Sequence, residues 1–175
     1  TATTFNPQIG GDGVALASTA HPIDGGTYAN TFTVPLTLNE SAIESALSTI
    51  RAFPDQSGKK TFSRGRKLLV PPNLQWTAER MLKSELRPDT ANNDVNPIVS
   101  SGTLPEGYAI NDFFTSNFAW GIKTNVEGLV SYERVPFELD MQVDPTTGNL
   151  LVVGYERYAA SYSNPRGIFW SAATA

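Results

Sequence analysis

An α+β fold is predicted for this chain, because helical periodicity is confined to its first half and strand periodicity governs its second. Two patterns carry that reading. Ile43, Ala46, Leu47 and Ile50 recur at the i, i+3, i+4, i+7 spacing of an amphipathic helix. Phe137, Leu139, Met141 and Val143 instead alternate strictly with Glu138, Asp140 and Gln142, as in a strand with one wet face. There is no βαβ alternation and no internal repeat.

Residues 1–36 carry scattered glycines with little periodicity and read as an extended arm or loop. Asn39 is a suitable N-cap with Glu40 in the first turn, so a helix is expected over 40–53, stopped by Pro54. A polar, basic loop, "DQSGKKTFSRGRK", leads to a short buried strand at Leu68–Val70. Pro71 and Pro72 end that strand and open a second helix. It bears a Leu74, Ala78, Met81, Leu82 stripe and is expected to end near Leu86, before Pro88. A long turn-rich loop follows. "NFAWGIKT" then reads as a strand, and residues 136–162 as a hairpin turning within Asp144–Asn149, with Gly148 at positive φ. Its return strand, Leu150–Val153, is apolar on both faces. A last strand is expected at Gly167–Ser171. Three regions result: the arm at 1–36, an α+β region at 37–134, and a C-terminal hairpin region at 135–175.

The 175 residues suit one domain able to bury a core. Only 17% are charged, which fits either a loop-rich protein or a surface largely covered by other subunits. The net charge of −4 argues against a general nucleic-acid binder. Without cysteine there is no disulfide frame, thiolate nucleophile or cysteine zinc site. No apolar run is long enough to cross a membrane as a helix. The chain begins with Thr1, so it is expected to be a processed product or a portion of something longer.

Candidate chemistry is sparse. The Leu-Val-Pro-Pro junction lacks the backbone donors a phosphate cradle needs. "SGKKTF" has Phe53 where a Walker loop needs its first glycine and Lys60 in place of Ser or Thr. His21, the sole histidine, would have to serve any histidine base, with Ser18, Asp12 and Asp24 nearby; in a glycine-rich loop, bonding to backbone is the expected role. One histidine and scattered carboxylates give no metal-ligand spacing, and Asp12, Asp24 and "DTANND" lack EF-hand order. Glu133, Glu138, Asp140 and Glu156 could pair for glycoside chemistry, yet Glu138 and Asp140 fall on a strand's polar face. No catalytic, cofactor or metal residues are therefore assigned. Lys59, Lys60, Arg64, Arg66 and Lys67, five cations in nine residues, are candidate contacts to an acidic neighbour or, less favoured, to DNA.

Several stretches occur in an order that resembles the major capsid proteins of tailed phages, especially the Mu-like branch. They are "DGVALASTAHPIDGGTYAN", "ESAIESALSTIRAF", "KLLVPPNLQWTAERMLKSEL", "NNDVNP" and "YERYAASYSNPRGIFW", spanning about 12–171. The resemblance implies a Hong Kong 97-like shell fold, of which this chain would hold mainly the axial-domain and C-terminal peripheral-domain portions. No upstream segment is long enough for an arm, extended loop and spine helix together. It further implies a structural subunit that assembles in the host cytoplasm into hexamers and pentamers of an icosahedral or prolate head. Such a head encloses double-stranded DNA without sequence-specific binding, alongside other virion proteins. It implies no enzyme activity and no cofactor. Two alternatives stand beside it: a monomeric β-rich binding or attachment module, and a small hydrolase using His21.

Overall fold

The computed structural model describes residues 11–86 and 94–173, and its helices and sheets make the chain α+β. The first ten residues of the expected arm lie outside that range. From Gly11 onward the segment lies against the rest of the chain. It forms a small antiparallel hairpin, β1 (His21–Ile23) with β2 (Gly26–Tyr28), and buries His21, Tyr28 and Asn30. Periodicity could not reveal this, because the segment is held by single buried side chains rather than by an apolar stripe.

Helix α1 (Glu40–Arg51) begins where the Asn39 side-chain oxygen accepts the Ala42 N–H at 2.7 Å, satisfying a donor that no helical carbonyl reaches. The expected stripe of Ile43, Ala46, Leu47 and Ile50 is buried, together with Ala42. Strand β3 (Gly65–Val70) sends Leu68 and Val70 into the core that contains α1, while Leu69 packs into a second cluster on the opposite side. Pro71 stays extended, and Pro72–Leu74 make one 3-10 turn before α2 (Gln75–Lys83).

That helix stops short of the expected Leu86, and the reason is Asn96. Its side-chain amide donates to the carbonyls of Met81 at 2.7 Å and Ser84 at 3.0 Å, closing the helix end. Its side-chain oxygen accepts the Ile98 N–H and so caps α3 (Pro97–Ser100). One residue of the "NNDVNP" stretch thus ties two helix termini together.

Strands β4 (Tyr108–Ile110), β5 (Trp120–Thr124), β6 (Leu129–Val143), β7 (Leu150–Tyr162) and β8 (Ile168–Ser171) complete the order. The body sheet runs β4-β3-β5-β8, with β4 parallel to β3 and the other pairs antiparallel. Trp120, Ile122 and Phe169 join the core on the α1 side; Ile168 and Trp170 join Leu16 and Tyr162 in the second cluster.

Strands β6 and β7 form a separate two-stranded ribbon. Its turn is the predicted one: Asp144 N–H donates to the Asn149 carbonyl, and Gly148 has φ 70°. The ribbon begins at Leu129, earlier than expected, and its register shifts twice between Glu133 and Glu138, around Pro136, which has no N–H for the ladder. Its root is a close crossing of backbones. A Cβ on Gly128 would stand 2.0 Å from the Asn164 carbonyl oxygen, and one on Gly167 would stand 2.9 Å from Gly128 Cα.

The half-buried hairpin predicted from alternation is corrected in one respect. Phe137, Leu139, Met141 and Val143 do share a face, across from Leu150 and Val152. That face is open: Leu139 is 59% exposed, Met141 65% and Val152 51%. Alternation marks an apolar face, and the described residues do not bury it.

Candidate functional site

His21 is fully buried, and its partners are side chains rather than the backbone expected for a loop histidine. Its Nδ1 lies 2.7 Å from the Asp12 carboxylate and its Nε2 3.1 Å from Asn30 Oδ1. The orientation of Asn30 follows from its other bonds. Its amide nitrogen donates to the Leu16 and Pro165 carbonyls, while Oδ1 accepts the Ser18 N–H. Both ring nitrogens therefore face oxygens. The place a nucleophile would need on Nε2 is taken by Asn30, and Ser18 uses its hydroxyl to accept the Ala20 N–H. The ring also stacks on Tyr28 at 5.1 Å, and burial pushes the Tyr28 hydroxyl up to about 12, against the pull of Arg166.

The arrangement works as a clasp. Asn30 accepts the Trp170 N–H at its own carbonyl, and Thr31 Oγ1 donates to the Trp170 carbonyl. The segment around Asn30 and Thr31 is thereby bound to β8. Sequence reasoning singled out His21 but not Asn30, whose bonds span up to 135 positions. The one available signal was the quoted His-Pro…Gly-Gly…Asn stretch.

The basic loop divides in two. Arg66 and Lys67 meet Glu106 at 3.0 and 3.2 Å, inside the same chain. The two cations hold the Glu106 carboxyl below its usual range, Arg66 acting first. Lys59, Lys60 and Arg64 are exposed and have no carboxylate partner among the described residues. With them stands Phe62, 74% exposed, with the Arg64 guanidinium stacked 4.3 Å from its ring centre. Asn125 fixes this knob: its side chain accepts the Arg64 N–H and donates to the Phe62 carbonyl, and its own N–H bonds the Arg64 carbonyl.

The carboxylates considered for glycoside chemistry all lie on the ribbon. Glu133 and Glu156 fall on one face, Glu138 and Asp140 on the other, and all are exposed. No cleft encloses them among the described cavities. Of "DTANND", residues 89–93 lie outside the described range; among the described residues no three metal-ligating side chains gather. Nor is any described helix long and apolar enough to cross a membrane.

The most extensive exposed apolar surface among the described residues is the ribbon. Between residues 131 and 160 nearly every position is exposed, and large apolar side chains crowd both strands. A two-stranded ribbon without a covered face is marginal alone, and a continuous apolar face of this kind marks an interaction site.

A family model described as phage capsid protein matches residues 1–171. No curated protein matches the chain.

Proposed function

The chain belongs to the phage capsid protein family, and from that premise we propose that it self-assembles into the capsomers of an icosahedral or prolate head enclosing double-stranded DNA. The family is one of structural proteins of the virion, whose members assemble with other copies into a shell. The finer reading is the Mu-like branch with a Hong Kong 97-like fold, built from hexamers and pentamers in the host cytoplasm. Its support is the ordered resemblance from 12 to 171 together with the α+β body.

The observation that carries the assembly reading is the bare ribbon, β6 with β7. An apolar face that one copy leaves in water is what a subunit needs when its partners are further copies. In this reading the α+β body corresponds to the axial-type region and the ribbon reaches toward the periphery. The C-terminal region proposed at 135–175 takes in most of the ribbon, whose first strand begins at Leu129, and β8, which returns to the body. A non-catalytic role is supported by His21, buried with both nitrogens engaged.

Negative-stain microscopy and sedimentation of the full-length protein test the proposal. Closed shells or ring-shaped capsomers are the expected result; a protein that stays monomeric at all concentrations and salt conditions would remove it.

A further inference from the structure

Two surfaces on this chain are complementary, yet they do not pair within one copy. The first is the knob of Lys59, Lys60, Phe62 and Arg64, cationic with an aromatic centre. Asn125 holds the backbone of Phe62 and Arg64, while Lys59 exchanges backbone and side-chain bonds with Asp55. The knob is pre-organised, so ordering it on contact costs little entropy.

The second is one face of the ribbon. The ribbon as a whole, residues 129–162, holds five carboxylates against two arginines, −3 in all; on this face stand Glu138 and Asp140, while Glu133 and Glu156 lie on the other face and Asp144 in the turn. On the face away from Leu139 and Met141, Glu138 and Asp140 stand beside Leu151, Val153 and Tyr155. Tyr155 O–H donates to Glu138 at 2.8 Å and holds that carboxylate in place. Arg157 shares this face, on the root side of Tyr155, and no ion pair joins it or Arg134 to Glu138. The face thus presents the carboxylates of Glu138 and Asp140 next to exposed apolar side chains, the counterpart of the knob's cations around Phe62, whose ring is exposed apart from the stacked Arg64.

We propose that the knob of one copy docks on the Glu138/Asp140 face of the next copy's ribbon. Phe62 lies against Leu151 and Val153, with Lys59, Lys60 and Arg64 on the carboxylates. The contact is heterologous, since each copy offers a different patch on each side, and repetition of such a contact closes rings. Opposite charges also steer encounter and make it salt-sensitive. The inference rests on the assembly reading above and specifies which surfaces meet.

The test uses four full-length proteins: the wild type, Lys59→Glu/Lys60→Glu, Glu138→Lys/Asp140→Lys, and the combination of all four changes. Each double variant is expected to raise the critical concentration for assembly by roughly tenfold or more, through like charges at the contact. The combination reverses both patches and is expected to restore assembly to within roughly threefold of wild type. Double variants that assemble like wild type, or a combination no better than the worse double, overturn the docking. Thermal unfolding of the dispersed subunits checks that each variant folds. Should one misfold, carbodiimide coupling of assembled wild type replaces it. Cross-linked peptides joining Lys59 or Lys60 to Glu138 or Asp140 of another copy support the contact, and their absence overturns it. A wild type that never assembles removes the assembly reading as well; one that assembles without these links removes only the docking.

Discussion

The body sheet and the ribbon are built from the same kinds of residue and meet opposite fates. In β5 and β8, Trp120, Ile122, Ile168 and Phe169 are wholly buried between two layers of the chain. In β6 and β7, Leu139, Met141, Leu150 and Val152 stand in water. At about 25 cal/mol per Å² of apolar surface, the body has collected its hydrophobic stabilisation on folding, whereas the ribbon has yet to collect most of its own. The difference separates what holds one copy together from what can hold copies to one another. Folding energy lies in the body; the ribbon's share is available to association.

Paired truncations give the sharpest contrast. Leu68→Ala in β3 empties a fully buried site and should cost about 2–5 kcal/mol in denaturant unfolding of the dispersed subunit. Leu139→Ala, at an exposed site, should change the same measurement by less than about 0.5 kcal/mol yet weaken assembly. Comparable stability losses for both would erase the distinction between the regions.

The clasp gives a somewhat smaller effect within the body. Asn30→Ala leaves the Leu16 and Pro165 carbonyls, the Ser18 N–H and His21 short of partners. A cost of about 2–3 kcal/mol is expected, read as a lower unfolding midpoint, because unsatisfied buried groups forfeit their desolvation. Unchanged stability would show that the segment around Asn30 and Thr31 does not depend on this residue.

The smallest effect concerns Glu79, which pairs with Lys83 one turn further along α2 at 2.5 Å and accepts the Tyr108 hydroxyl of β4. Lys83, then Tyr108, hold its carboxyl below the usual carboxylate range. A depressed acid contributes stability that is present above its unfolded pKa and lost as pH falls through the folded one. Between neutral and acid pH, wild type should therefore lose slightly more stability than Glu79→Gln. At a partly exposed site the difference should be small, and a larger loss in the variant would reverse the assignment.

What was legible in the sequence divides along the same line. The α1 stripe, the Asn39 cap and the 144–149 turn depend on residues a few positions apart, and each stands where local pattern put it. The early end of α2 was missed because its cap, Asn96, arrives from beyond a loop. The clasp and the Gly128–Gly167 crossing were missed for a similar reason: each joins segments distant in sequence. In the ribbon, alternation correctly marked an apolar face, but a period of two cannot say which molecule will cover it. Of the basic loop, composition gave five equivalent cations, whereas Glu106 occupies two and leaves three beside Phe62.

Amide hydrogen exchange, compared between dispersed full-length subunits and assembled particles, bears most directly on the claim that the ribbon is completed by other copies. Amides of α1, β3 and β5 should exchange slowly in both states. Those of 129–162 should exchange quickly in the dispersed subunit, where little but the ribbon's own ladder protects them, and slow markedly on assembly. Ribbon amides that exchange equally fast in both states would contradict the account, because no neighbouring copy would then be covering the exposed face.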